Sequence, residues 1–189
     1  EQIPGVGASV GNALSDSMVV QVARDRKLHE QRFSRGIPQG PLQEIGAAPN
    51  RRGTTVTFHA DEEIFGSHRF RPARLFRMAR SKAYLYSGVE IRWKSALEDG
   101  DTPAEASFRF PGGLADYLAE TLGGATTYAD APFAGRVEFA QKFGAPGSVE
   151  WAINWTPARD GFLQSYCNTV PTPEGGTHEQ GFWAAILKG

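Results

Sequence analysis

Strands joined by connections too short to be anything but hairpins constrain this chain most. Residues 18–24 read Met-Val-Val-Gln-Val-Ala-Arg, a β-branched run, and 28–35 form a second strand after only Asp25-Arg26-Lys27. A parallel pair needs a crossover of a dozen or more residues, so these two must run antiparallel. The same logic recurs later: strands at 136–143 and 149–156 flank Gly144-Ala145-Pro146-Gly147.

Other elements fit around these hairpins. Residues 6–15 predict a helix entered from a glycine turn. A Pro/Gly-rich excursion at 36–52 leads into a strand at 53–58, where Thr55 and Thr57 alternate with Val56 and Phe58. Leu75, Met78, Ala79 and Ala83 recur at helical spacing, so 71–86 predicts a helix with Pro72 in its first turn. Short strands follow at 89–93 and 106–110. Pro111-Gly112-Gly113 breaks both helix and strand and is the candidate domain boundary. Beyond it we expect a helix at 114–122, a strand at 162–170 and a final helix from Thr177. Strands outnumber helices and hairpins dominate, so the fold class is α+β with largely antiparallel or mixed sheets.

Composition narrows the function classes. At 189 residues, 40% hydrophobic and 22% charged, the chain can bury the core of one large or two small domains. A formal net charge of −1 leans away from a protein that coats nucleic acid. The single Cys167, read in an apolar setting, points to a reducing, cytoplasmic compartment. No apolar run approaches the ~20 residues needed to cross a bilayer, and no signal segment opens the chain, so no membrane partner is expected.

Four motifs could carry chemistry. In Gly5-Val6-Gly7-Ala8-Ser9, glycines let backbone N–H groups approach an anion at a helix N-terminus, although an ordinary helix-entry turn has the same pattern. Gly53-Thr54-Thr55-Val56 offers hydroxyls on a strand. Thr177 and Gln180 fit a capping box. The neighbouring His178 and Glu179 form no metal pattern with His29, His59 and His68. Lastly, Arg69, Arg71, Arg74, Arg77, Arg80 and Lys82 spread positive charge around half a helix, which suits a solvated face as well as a DNA-binding stripe.

Taken in order, these motifs resemble a known family. Gly5–Val10 with Asn12-Ala13-Leu14-Ser15 is similar to the glycine motif at the ATP lid of bacterial type II DNA topoisomerase B subunits. Gln31-Arg32-Phe33 through Gly36-Ile37-Pro38 resembles that family's next hairpin, and Gly53–Phe58 its nucleotide-site strand. Ser165–Thr169 through Glu174-Gly175-Gly176-Thr177-His178 and Gly181-Phe182 resembles its transducer signature. Arg77–Arg80 with Ser87–Ile91 tilts the resemblance towards topoisomerase IV over DNA gyrase.

The resemblance implies a partial Bergerat (GHKL-type) ATP-binding domain at 1–110 and the first part of a ribosomal-S5-like transducer at 111–189. It implies that Gly5, Val6 and Gly7 offer amides to ATP phosphates, that Thr54 helps hold adenine, and that Arg24 stands at the pocket mouth. It places the catalytic glutamate, the magnesium-binding asparagine and the adenine-binding aspartate upstream of residue 1, and the γ-phosphate lysine beyond Gly189. An internal piece, unable to hydrolyse ATP alone, is therefore expected, and no catalytic or metal-ligating residue is assigned. The intact protein would use ATP and Mg2+, dimerise through its ATPase region, and work with a topoisomerase A subunit and DNA. The alternative is a non-enzymatic module whose S5-like half binds nucleic acid or another subunit.

Overall fold

Two-residue turns set the architecture of the N-terminal part. β1 (Ser15–Arg24) and β2 (Lys27–Ser34) pair antiparallel from Met18↔Phe33 to Arg24↔Lys27. The turn is therefore Asp25-Arg26, whose φ values of 52° and 65° give the twist that such hairpins favour. Arg35 and Gly36 repeat the device before β3 (Ile37–Pro38).

The computed structural model describes residues 6–67, 69–97, 99–140, 146–157 and 160–188, within two compact units, Glu1–Arg69 and Phe70–Gly189. In the first, α1 (Val6–Ala13) leads into β1, and β4 (Gln43–Ala47) and β5 (Gly53–Ala60) complete a sheet of order β3-β2-β1-β5, with β4 also on β2. The 36–52 excursion is thus partly strand. β3 and β4 have no sequence signature of their own, because they are short and both borrow their geometry from β2. A single-turn helix, α2 (Glu62–Phe65), is a further addition, and Asp61 caps it by accepting from Glu63 N–H at 2.9 Å.

The second unit holds α3 (Pro72–Leu85), the hairpin β6 (Glu90–Lys94)–β7 (Glu105–Arg109), and α4 (Leu114–Leu122). The hairpin β8 (Phe133–Phe139)–β9 (Gly147–Ile153) follows, then β10 (Tyr166–Cys167), β11 (Val170–Pro171) and α5 (Thr177–Lys188). The core gathers Ala83 and Tyr84 of α3 with Phe108 and Phe110, and Phe76, Trp93 and Tyr117 pack around them. Every strand pair among the described residues is antiparallel, in keeping with the α+β class.

Four expectations change. The strand at 162–170 is instead a tight hairpin, because Asn168 and Thr169 adopt φ of 48° and 67° and reverse the chain between β10 and β11. Cys167 is exposed, so its surroundings are not the apolar ones read from its neighbours. The cap of α5 falls on Gly176, whose carbonyl accepts Gln180 N–H at 3.0 Å, which makes Thr177 the first helical residue. The expected strand 136–143 ends at Phe139, and its part from 141 onwards lies outside the described residues.

Candidate functional site

The sheet of the first unit brings two of the expected site residues together. β5 runs antiparallel to β1 with Thr54 opposite Val22 and Val56 opposite Val20. Side chains alternate along a strand, so Val20, Val22 and Arg24 share one face with Thr54 and Val56. Arg24, two residues past Val22, is therefore the diagonal neighbour of Thr54, a relation that puts Cβ atoms about 7–8 Å apart. Thr54 is exposed, as is all of β5 except Ala60. The Arg24 side chain is 78% exposed and pairs with the carboxylate next to it, that of Asp25, at 3.5 Å. Such a face, with a hydroxyl in its middle and a guanidinium at its rim, can hold a planar ligand with a hydrogen-bonding edge.

The glycine motif stands elsewhere. Gly5 lies outside the described residues, and Val6 and Gly7 form the first turn of α1. α1 meets the sheet at Ser15, the end of β1 away from Arg24, where Ser15 Oγ donates to Gly11 O at 2.6 Å. No acidic side chain occupies the first turn of α1, and among the described residues no atom outside its own helix turn and chain neighbours stands within 4 Å of where a Gly7 Cβ would be.

Sequence reasoning missed the network that holds this end of the sheet. Arg35 donates through Nε to Asp61 Oδ2 at 2.6 Å and through Nη2 to Glu63 at 2.7 Å. Asp61 is almost wholly buried, and its hydrogen bonds from Glu63 N–H and Arg35 hold its carboxyl below the ordinary aspartate range. The cap pattern Asp61-Glu62-Glu63 was the available signal. Among the described residues, no group of three or more His, Cys, Asp or Glu is placed to hold a metal ion, and His178 meets only the Thr172 hydroxyl at 3.3 Å.

The second unit carries a separate tyrosine junction. Tyr84 of α3 stacks on Tyr117 of α4 at 3.8 Å, and its hydroxyl hydrogen-bonds that of Tyr166 on β10. Burial, then the Tyr166 hydroxyl, pushes the Tyr84 phenol well above its ordinary value. Arg80 lies 5.3 Å over the Tyr117 ring and donates to Glu120 at 2.6 Å, and Lys82 donates to the Thr169 carbonyl at 2.9 Å and hydroxyl at 2.8 Å.

Comparison with known proteins now bears on both units. Residues 113–189 match the family model described as DNA gyrase B. The chain is 56% identical to the B subunit of DNA topoisomerase 4 from Caulobacter vibrioides, over 98% of this chain and 27% of that protein. It is 39% identical to the corresponding protein of Escherichia coli, over 97% of this chain and 28% of that protein. The chain belongs to the family of bacterial type II DNA topoisomerase B subunits. Its greater identity to the Caulobacter topoisomerase 4 protein accords with the tilt away from gyrase. The fold of the chain superposes with a TM-score of 0.77 on the 43K ATPase domain of Thermus thermophilus gyrase B in complex with an aminocoumarin. That match is 34% identical and covers 98% of this chain and 48% of that one. The chain spans little more than a quarter of the curated relatives' length. No helix among the described residues is long and apolar enough to cross a membrane.

Proposed function

We propose that this chain supplies one wall of the nucleotide pocket, and the start of the transducer, in a protein that couples ATP binding to closure of a DNA-capturing dimer gate. The observation that carries this reading is the shared sheet face of Arg24 and Thr54, in a chain matched almost end to end by topoisomerase B subunits. In this assignment the Thr54 hydroxyl hydrogen-bonds the adenine edge. Arg24 guards the mouth of the pocket. Gly5, Val6 and Gly7 offer backbone amides to the phosphates, a role suited to a first turn without acidic side chains. Bound ATP would supply the free energy of dimerisation, and Mg2+ would shield its phosphates. This chain's own residues position the base and leave proton transfer to groups outside it.

The same reading sets the boundary between nucleotide-binding and transducer parts at Pro111–Gly113, beside the start of the match at residue 113. It gives the intact protein a topoisomerase A subunit, a second copy of itself and DNA as partners, in the cytoplasm where bacterial DNA lies. The support is that the relatives carry the names of DNA topoisomerases.

Isothermal titration calorimetry tests it. The 189 residues alone should bind ATP very weakly and show no hydrolysis, whereas Thr54→Ala in the complete protein should raise KM for ATP by about tenfold, the equivalent of one lost hydrogen bond at about 1.4 kcal/mol. Micromolar, magnesium-dependent binding by the chain alone, or an unchanged KM, would sink the assignment.

A further inference from the structure

Between the outer side of α3 and the chain at 163–175 runs an open groove of about 1060 Å³, wholly within the second unit. Four cations line it: Arg74, Arg77, Arg80 and Lys82. Two are committed, Arg80 to Glu120 and Lys82 to Thr169. Arg74 and Arg77 are exposed and have no carboxylate partner among the described residues. The carboxylates of Glu174 and Glu179 also face the groove, and Glu179 accepts a hydrogen bond from Ser165 Oγ at 3.0 Å. With Arg80 offset by Glu120, the described lining sets Arg74, Arg77 and Lys82 against Glu174 and Glu179, a small positive excess on a chain whose net charge is −1.

We infer that this groove takes a stretch of DNA phosphate backbone, with Arg74 and Arg77 as its phosphate contacts. The inference rests on the reading that DNA is a partner of the intact protein. Three observations favour this occupant. The two free cations are arginines, whose planar forks suit phosphate oxygens better than a point charge does. They sit three residues apart on α3, with about 5–6 Å between Cβ atoms, so two long, flexible side chains can reach neighbouring phosphates of one strand. And the facing wall presents the Thr169 hydroxyl, which accepts from Lys82 and keeps its own proton to donate, the kind of group that fixes a backbone without reading its sequence. Glu174 opposes phosphate, so its removal should tighten binding.

Fluorescence anisotropy with a labelled duplex of about 25 base pairs, titrated with the full 189-residue chain between about 50 and 200 mM salt, decides the matter. The wild-type chain should bind with an affinity that falls steeply as salt rises. R74E/R77E should weaken binding at least about tenfold at low salt and flatten the log–log salt slope by about two, one per lost phosphate contact. E174Q should strengthen it, and circular dichroism should be unchanged throughout. If the double reversal lowers the melting temperature, R77A supplies the same comparison with a slope change of about one.

Undiminished affinity and slope in a folded R74E/R77E or R77A variant overturns the inference. So does an absence of binding at the lowest salt. Displacement of the duplex by polyglutamate as readily as by unlabelled DNA of equal charge overturns it in favour of an acidic protein. None of these results touches the ATP calorimetry, so the groove can fail while the nucleotide-pocket reading stands.

Discussion

Asp61 shows how one side chain can hold several elements of the first unit. Its carboxylate caps α2 and receives Arg35, the residue that turns the chain between β2 and β3. Its own N–H donates to Leu14 O at 3.0 Å, at the junction of α1 and β1. Because these partners favour the charged form, the folded-state pKa lies below the unfolded one. The stabilisation is therefore fully present above the unfolded aspartate value, near 3.8, and is lost as pH falls through the lower folded value. Asp61→Asn should lower the urea midpoint at neutral pH, and the gap from wild type should shrink steadily below about pH 4. A gap that stays constant down to about pH 2 would show that the carboxylate's charge plays no part.

At the scale of elements, the sequence speaks clearly where local rules govern and poorly where a partner strand does. Leu114–Leu122 is legible to the residue, since Pro111-Gly112-Gly113 precedes it and Gly123 ends it in a left-handed conformation. β10 and β11 look like one strand in sequence because Thr169, a β-branched residue, rarely takes the φ of 67° that it adopts here. Lys82, 87 residues away in sequence, holds that turn through two hydrogen bonds, and no local pattern announces so distant a tether. The tyrosine junction is illegible for the same reason, its three rings coming from α3, α4 and β10. Tyr84→Ala should cost about 3–5 kcal/mol, as for other large rings removed from a core. Tyr84→Phe should cost only about 1 kcal/mol, because the Tyr166 hydroxyl keeps Gln164 at 3.1 Å. Denaturant unfolding of the two variants would separate ring packing from hydroxyl pairing, and equal losses would refute the division.

For the molecule as a whole, two divisions of the chain follow different physics. One is the proposed division at the glycine-rich break Pro111–Gly113, beside which the family match begins at residue 113. Compactness marks another, since α3, β6 and β7 belong to the same unit as α4 and all that follows. The reason lies in the core: Tyr84 and Phe110, from before the break, pack on Tyr117 and Tyr166, from after it. A chain cut at residue 113 would leave Tyr117 and Tyr166 without those rings and expose apolar area, at about 25 cal/mol for each Å². Residues 70–189, expressed alone, should therefore melt in one cooperative transition, and residues 113–189 should melt earlier, broadly, and with binding of a hydrophobic dye. Should 113–189 match the midpoint of 70–189, the aromatic junction contributes nothing across the break, and the glycine turn would separate two independently stable bodies.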